Sequence, residues 1–218
     1  MIVAIDGPAG AGKSTVTARL AEALGFVRLD TGALYRTVAL AATRAGLEPD
    51  DPSLGGFVAG LDIVVRPDGI LLGGEDVSLA IRTPEMSVAS SRFAAVPCVR
   101  AGLLDLQRGL GRARDSVLDG RDIGTVVFPD AEAKIFLTAS VRARAQRRLD
   151  ELQGRGVDAD LATVMAEIEA RDRADSERAV APLRKADDAV EIDTTCLDFD
   201  AVVEACRRVV EAARATRG

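Results

Sequence analysis

The chain has 218 residues, 48% hydrophobic and 28% charged, with a net charge of −6 and no histidine. This composition is typical of a globular chain, and we expect one domain over residues 1–218 with insertions. The absence of histidine excludes histidine-based catalytic triads and histidine metal sites. The negative charge argues against a general nucleic-acid surface, and no apolar run approaches the ~20 residues of a membrane helix. We therefore expect a protein of the cytoplasm, without a nucleic-acid or membrane partner. We also expect it to be a monomer.

A phosphate-binding motif lies at the start of the chain. Ile2, Val3 and Ile5 form a short apolar run that predicts a buried strand, and apolar residues recur at helical spacing over residues 16–24. Between these elements, residues 7–14 match the pattern G-x-x-x-x-G-K-[ST]. The residues expected to hold the phosphates of a nucleoside triphosphate are Gly7, Pro8, Ala9, Gly10, Ala11, Gly12, Lys13, Ser14 and Thr15.

The composition of this motif has a physical basis. Residues without bulky side chains let successive backbone N–H groups close around a polyphosphate, and the helix N-terminus adds partial positive charge. Lys13 is expected to reach the β- and γ-phosphates, and the Ser14 hydroxyl is expected to ligate Mg²⁺. The alternative is an ordinary glycine-rich turn, which the flanking strand and helix make the weaker interpretation.

The next elements interrupt a simple strand–helix alternation. Residues 26–30 predict a second strand, and a helix is predicted to begin at Thr31. Residues 61–72 predict an antiparallel hairpin, with its turn at residues 67–69. We interpret the hairpin as part of an inserted subdomain at about residues 55–95.

The rest of the chain returns to the alternation of strands and helices. The other predicted strands are residues 116–119, 134–138 and 189–193. The other predicted helices are residues 98–112, 141–152 and 160–175, with one beginning at residue 83 and one at residue 198. Five strands alternating with helices predict an α/β fold with a parallel sheet, whose ligands bind at the carboxyl ends of the strands.

Polar residues follow two of the predicted strands at the ends where ligands are expected. The stretch at residues 30–36 follows the second strand, and the stretch at residues 119–122 follows the third. On a parallel sheet, both should converge on the phosphate loop. Arg171, Asp175 and Arg178 have the spacing i, i+4, i+7, which predicts one shared helix face.

These residues resemble a known family. The strings DGPAGAGKST, LDTGALYR, GEDVS with IRTPE, DGRDIGTVVFPDA and RAVAPL are similar to those of bacterial cytidylate kinases, from Ile2 to about Ile192. The resemblance implies a P-loop NTPase fold with a five-stranded parallel sheet flanked by helices, an inserted subdomain that binds the nucleoside monophosphate, and a helical lid at about residues 140–180. Members of the family can carry glycine after the loop lysine, and Ser14 keeps a hydroxyl there.

The resemblance also implies a reaction, ATP + CMP (or dCMP) → ADP + CDP (or dCDP), with Mg²⁺ as cofactor and nucleotides as the partners. It implies catalytic roles for Lys13, Arg121 and Arg178, with Arg144 and Arg148 on the ATP side. The residues it assigns to CMP are Thr31, Tyr35, Arg36, Ser91, Arg100, Arg121, Asp122, Arg171, Asp175 and Arg178. A monophosphate oxygen is already ionised at neutral pH, so this reaction needs no histidine as a general base.

Within the set implied for CMP, three roles are distinguished. Three arginines are placed around the acceptor phosphate, namely Arg36, Arg121 and Arg178. The residues that face the cytosine ring are Ser91, Arg100 and Asp122. The residues that approach the ribose are Tyr35, Arg171 and Asp175.

Other functions remain open at this point. A kinase of another nucleoside monophosphate (UMP, AMP or dTMP) would differ in its acceptor preference. A shikimate or gluconate kinase shares the phosphate loop but does not need the large insert. A GTP-dependent switch requires an N-K-x-D motif, and the chain contains no asparagine. An inert ATP-binding module would lack an acceptor site.

Overall fold

Over residues 1–66 and 69–216, which the computed structural model describes, the chain forms eight strands and eight α-helices. The strands are β1 (Ile2–Asp6), β2 (Val27–Asp30), β3 (Ile63–Arg66), β4 (Gly69–Leu72), β5 (Glu75–Asp76), β6 (Ser116–Gly120), β7 (Ala133–Thr138) and β8 (Val190–Asp193). The helices are α1 (Lys13–Leu24), α2 (Thr31–Arg44), α3 (Leu54–Ala59), α4 (Pro84–Ala94), α5 (Pro97–Arg112), α6 (Val141–Gly154), α7 (Leu161–Glu177) and α8 (Phe199–Ala215). Ala80–Arg82 form a 3₁₀ turn, and Ile123–Val127 form a π-helical turn.

The central sheet has five strands in the order β2-β6-β1-β7-β8. Strand β1 runs parallel to β6 on one side and to β7 on the other, and Asp6 is aligned with Gly120 and Phe136. The carboxyl ends of the three middle strands therefore lie at one edge of the sheet. Val3 and Ile5 are fully buried, as expected for a strand covered on both faces. The predicted α/β fold with five parallel strands is confirmed.

The chain divides into two compact units. The first comprises Met1–Leu29 and Gly111–Gly218, and the second comprises Asp30–Leu110. The first unit contains the sheet and packs α1 and α8 on it through a continuous apolar core. The apolar side of α8, with Cys206 and Val210 fully buried, belongs to this core. Helices α6 and α7 form a hairpin with a small apolar core of their own around Leu149 and Ile168. The predicted lid at about residues 140–180 includes this hairpin, and its boundaries stay a prediction.

The second unit combines helices with a small antiparallel sheet in the order β3-β4-β5. The strands of the predicted hairpin are confirmed, with Val64 opposite Leu71. Pro67 and Asp68, in the predicted turn, lie outside the described residues. Helix α3 and strand β5 have no counterpart among the predicted elements, because α3 is short and glycine-rich and β5 has two residues. The predicted insert at about residues 55–95 falls within this unit, and its limits stay a prediction. None of the described helices is both long and apolar enough to span a bilayer.

Candidate functional site

The phosphate loop connects β1 to α1 and depends on glycine. Gly7, Gly10 and Gly12 have φ angles of 148°, 76° and 86°, which other residues adopt only with strain. A Cβ atom at Gly7 would lie 2.0 Å from the Leu137 carbonyl oxygen of β7. Substitution there would therefore displace the central sheet. The loop leads directly into the N-terminus of α1, as a phosphate site requires.

Lys13 is the first residue of α1 and is buried. Its Nζ donates hydrogen bonds to the carbonyl oxygens of Gly7 and Pro8, each at 2.7 Å. Burial lowers the pKa of the Lys13 ammonium well below its ordinary value, and the positive charge of Arg121 lowers it further. The ammonium is thus held against the loop that the motif assigns to phosphates, in a place where a polyanion would stabilise its charge.

Ser14 and Asp119 bring two oxygen ligands together. The Ser14 hydroxyl donates to Asp119 Oδ2 at 2.8 Å, and Asp119 is the next-to-last residue of β6. Hydroxyl and carboxylate oxygens suit Mg²⁺, which commonly takes one or two protein ligands beside waters and phosphate oxygens. These two residues therefore fit a magnesium ion that accompanies a nucleotide. Asp119 was not among the predicted ligands, although its place at a strand end could have indicated it.

Asp6, the last residue of β1, is a functional candidate that the sequence patterns missed. Its Oδ1 accepts from the backbone N–H of Ile123 at 2.8 Å, and its Oδ2 accepts from that of Gly124 at 2.7 Å. Burial raises the pKa of Asp6 to about 6, although both hydrogen bonds act in the opposite direction. No local motif marks this carboxylate, because its partners lie 117 and 118 residues further along the chain.

The raised pKa of Asp6 predicts a pH dependence of stability. The folded chain keeps a proton on Asp6 up to a pH of about 6, whereas the unfolded chain loses it near the ordinary pKa of 3.8. The contribution of Asp6 to the free energy of unfolding should therefore fall as the pH rises through this window. We expect the difference in the free energy of unfolding, wild type minus Asp6→Asn, to decrease over the same pH range. Urea denaturation at several pH values measures both free energies.

Asp188→Asn is the matched control for that experiment. Lys134 donates to the exposed Asp188 carboxylate and lowers its pKa below the ordinary 3.8. The contribution of Asp188 to the free energy of unfolding should therefore rise with pH below 3.8 and stay constant above it. A flat or rising difference for Asp6→Asn would show that the Asp6 carboxylate is not protonated as its burial implies.

A second group of charged side chains lies in the first unit, beyond the carboxyl end of β6. Arg121 Nε donates to Asp175 Oδ2 at 2.8 Å, and Arg178 Nη2 donates to Asp122 Oδ1 at 3.5 Å. Burial alone would raise the pKa of Asp175, but the guanidinium of Arg121, helped by Arg171 and Arg178, lowers it instead. The structure thus brings together five of the residues that were assigned to the acceptor, and we call them the arginine–carboxylate cluster: Arg121, Asp122, Arg171, Asp175 and Arg178.

The helical position predicted for Arg178 is wrong. Helix α7 ends at Glu177, and Arg178 has φ −60° and ψ 140°, which is extended backbone. Its Nε donates to the Ala181 carbonyl oxygen at 2.5 Å. Pro182 lies four residues beyond Arg178 and cannot continue a helix, so the chain leaves the helical path before it. Arg178 therefore approaches Asp122 from the segment after α7.

The two arginines predicted on the ATP side have different surroundings. Arg144 is buried and donates to Asp172 through two parallel bonds of 3.0 and 2.6 Å. It also donates to the Ala9 carbonyl oxygen of the phosphate loop at 3.0 Å. Arg148 pairs instead with Glu151 of the same helix at 2.8 Å. Of the two, Arg144 is the one that the structure places against the loop.

The second unit contains the other residues assigned to the acceptor, which are Thr31, Tyr35, Arg36, Ser91 and Arg100. The Arg100 guanidinium lies 5.3 Å from the centre of the Tyr35 ring, a cation–π contact, and donates to the Ala94 carbonyl oxygen. Thr31 is buried and Ser91 is half-buried.

Asp30 organises the start of α2 in this unit. Its Oδ1 accepts from the backbone N–H of Ala33, so it caps the helix. Its Oδ2 accepts from Arg36 and from Arg82, each at 3.1 Å. Arg82 was not predicted as a site residue, and it brings a second guanidinium to the same carboxylate.

Comparison with known proteins places this geometry in context. The family model described as cytidylate kinase matches residues 3–212. A cytidylate kinase of Syntrophotalea carbinolica is 57% identical and covers 96% of this chain and 92% of its own length. One from Geobacter sulfurreducens is 52% identical, with coverage of 100% and 96%. A bifunctional pantoate ligase/cytidylate kinase of Synechococcus elongatus is 52% identical over 93% of this chain and 40% of its own length.

Solved structures support the fold. A gluconokinase from Sinorhizobium meliloti superposes with a TM-score of 0.50 at 14% identity, over 99% of this chain and 94% of that protein. An uncharacterized protein from Eubacterium ventriosum gives a TM-score of 0.53 at 14% identity, over 97% and 98%. At this level of identity, the two structures bear on the α/β architecture alone.

Proposed function

The chain belongs to the cytidylate kinase family, so its reaction is the transfer of a phosphoryl group from ATP to CMP, and we propose that it also accepts dCMP and that the residues described above carry out the transfer. The observation that supports this assignment is the position of Lys13. Its neighbour Ser14 donates to Asp119 of β6 at 2.8 Å. Burial lowers the pKa of the Lys13 ammonium, and the positive charge of Arg121, two residues beyond Asp119, lowers it further. In the first unit, the donor loop and the arginine–carboxylate cluster are therefore close enough for their charges to interact.

On the donor side, the backbone of residues 7–15 holds the ATP phosphates, and Lys13 lies where the β- and γ-oxygens are expected. Ser14 and Asp119 would hold the Mg²⁺ that accompanies ATP, and the bound ion would supply charge neutralisation at the phosphates. Arg144, fixed by Asp172, keeps the Ala9 carbonyl oxygen in place from the lid. This arrangement orients the γ-phosphoryl group for in-line attack.

On the acceptor side, the monophosphate oxygen is already ionised and attacks without a general base. Catalysis then depends on cations that neutralise the charge of the transferring group, and we assign this role to Lys13, Arg121 and Arg178. Asp175 and Asp122 hold the two arginines by ion pairs of 2.8 and 3.5 Å. The lid helices keep water from the site, since an open site would transfer the phosphoryl group to water.

From the family resemblance, Arg36 is proposed for the acceptor phosphate, Tyr35 for the ribose, and Ser91 and Arg100 for the base. Asp122 is proposed to accept a hydrogen bond from the exocyclic amine of cytosine. Uracil presents an oxygen at that position, which a carboxylate repels. A site built for one hydrogen-bonding pattern rejects the other, because buried polar groups are left unpaired.

Asp122→Asn tests this assignment. The ratio of kcat/KM for CMP over that for UMP should collapse, mainly through a loss on CMP of about 10- to 150-fold, which corresponds to roughly 1.5–3 kcal/mol for one hydrogen bond to a charged group. Asp130→Asn, at an exposed carboxylate of the same segment, is the control and should leave the ratio unchanged. Because Asp122 pairs with Arg178, a parallel loss on both acceptors would mean that Asp122 only holds this arginine.

An acceptor panel tests the substrate itself. With ATP and Mg²⁺, release of ADP should be fastest with CMP and dCMP, slower with UMP, and near background with AMP, dTMP, shikimate or gluconate. Faster turnover of any of the others would overturn the assignment of CMP. Magnesium dependence is checked by the same assay with EDTA. The cytoplasmic location, the monomeric state and the lack of a nucleic-acid partner stay predictions from the sequence.

A further inference from the structure

Asp6 connects the two halves of the catalytic machinery in the first unit. It immediately precedes Gly7, the first glycine of the phosphate loop, and its two carboxylate oxygens accept from the N–H groups of Ile123 and Gly124. These residues follow Arg121 and Asp122 directly. One buried carboxylate therefore joins the donor loop to the segment that carries two residues assigned to the acceptor.

The two N–H groups require such a partner. Ile123 and Gly124 begin the π-helical turn Ile123–Val127, and the first N–H groups of a helical turn have no acceptor within it. The amides of Val126 and Val127 donate to the carbonyl oxygen of Asp122, and the amide of Phe128 donates to that of Ile123. Asp6 thus accepts hydrogen bonds from both amides at the start of the turn. Loss of this acceptor would leave a buried donor unpaired.

The start of the turn lies against both the Asp6 carboxylate and the Lys134 side chain. A Cβ atom at Gly124 would lie 3.5 Å from Asp6 Oδ2 and 3.2 Å from the Cδ atom of Lys134. The turn is thus enclosed between the Asp6 carboxylate and the Lys134 side chain. Contacts from two neighbouring strands, β1 and β7, therefore help to fix its position.

We propose that Asp6 is a positioning residue that holds Arg121 and Asp122 in register with the phosphate loop, and so determines the efficiency and base selectivity of the acceptor side. The inference rests on the proposed function, because it takes Arg121 and Asp122 as acceptor contacts. Asn at position 6 has the same shape but one acceptor oxygen, and its amide would face a backbone donor. The turn should then shift, and a shift of about 1 Å in catalytic groups can cost about 10²-fold in rate.

The experiment compares Asp6→Asn with the wild type in three measurements: kcat and KM for CMP, the CMP-to-UMP ratio of kcat/KM, and the Kd of ATP by titration without acceptor. We expect kcat/KM for CMP to fall by about 10²-fold and the CMP-to-UMP ratio of kcat/KM to decrease. The Kd of ATP should change by less than about twofold. Asp198→Asn, which alters another carboxylate that accepts a hydrogen bond from a backbone N–H group, that of Ala201, is the control and should behave as wild type.

Each outcome decides the proposal. Unchanged CMP kinetics in folded Asp6→Asn protein would overturn it, and so would equal losses for ATP and CMP, which indicate a merely structural role. If Asp6→Asn does not fold, Asp6→Glu is measured in its place with the same expected losses, since it keeps the charge and both acceptor oxygens but moves them by one methylene group relative to the amides of Ile123 and Gly124. Asp122→Asn is measured alongside: if it changes selectivity and Asp6→Asn does not, the inference alone fails. If neither variant changes it, the assignment of the acceptor site fails as well.

Discussion

Replacing Lys13 with methionine should lower kcat by about 10³-fold or more while the protein stays folded. Methionine has nearly the length of lysine but no charge, so the γ-phosphoryl group would lose the ammonium that neutralises its growing negative charge. Lys13 occupies the interior of the phosphate loop, where its Nζ contacts the carbonyl oxygens of Gly7 and Pro8. In this buried place water cannot substitute for the missing charge.

The measurement is kcat at saturating ATP and CMP, with circular dichroism and thermal unfolding to confirm the fold. Lys185→Met is the matched control: Lys185 is exposed and pairs with Glu191 at 3.0 Å, so its loss should leave kcat near the wild-type value. A folded Lys13→Met protein with a turnover close to wild type would show that Lys13 serves the loop structure and not the transfer.

Replacing Arg178 with alanine should lower kcat by about 10²-fold and raise the KM for CMP by a smaller factor. The Arg178 side chain is 6% exposed and is held by Asp122 and the Ala181 carbonyl oxygen, so little energy is needed to orient it. We expect its guanidinium to bind the phosphoryl group most strongly when charge develops in transfer. An interaction made mainly in the transition state lowers kcat more than it weakens substrate binding.

Two further variants make this result interpretable. Arg173→Ala removes an exposed arginine of α7 five residues away and should leave kcat unchanged. Arg178→Lys keeps a charge but not the planar fork of donors, and should recover part of the loss. If Arg178→Ala raised only the KM for CMP, Arg178 would be a ground-state binding residue.

The parts that could be predicted from sequence share one property, which is that their signal is local. The buried strand Ile2–Asp6, the glycine-rich loop and the start of α1 at Lys13 lie within 13 residues, and each carries its own pattern. The hairpin strands β3 and β4 and the helix starts near Thr83 and Asp198 were predicted for the same reason. Elements with a weak local pattern were missed, such as α3 with two glycines in six residues and the π-helical turn Ile123–Val127.

Within the site, the residue types could be predicted better than their contacts. Arg121, Asp122, Arg171, Asp175 and Arg178 were all named, and the structure brings them together in the first unit. It also pairs Arg121 with Asp175, 54 residues away, and takes Arg178 off the helix that its spacing had suggested. Spacing along the chain cannot show where a helix ends when Pro182 and the packing of the next segment decide it.

By itself, the sequence determined the nucleotide loop, the alternation of strands and helices, and the family, because these depend on short patterns whose geometry is set by backbone chemistry. Only the tertiary structure decided that β6 lies beside β1, and with it the bonds from Ile123 and Gly124 to Asp6 and from Ser14 to Asp119. These bonds join residues 105 to 118 positions apart. Such contacts follow from the order of strands in the sheet, which depends on how the whole core packs and not on any one segment.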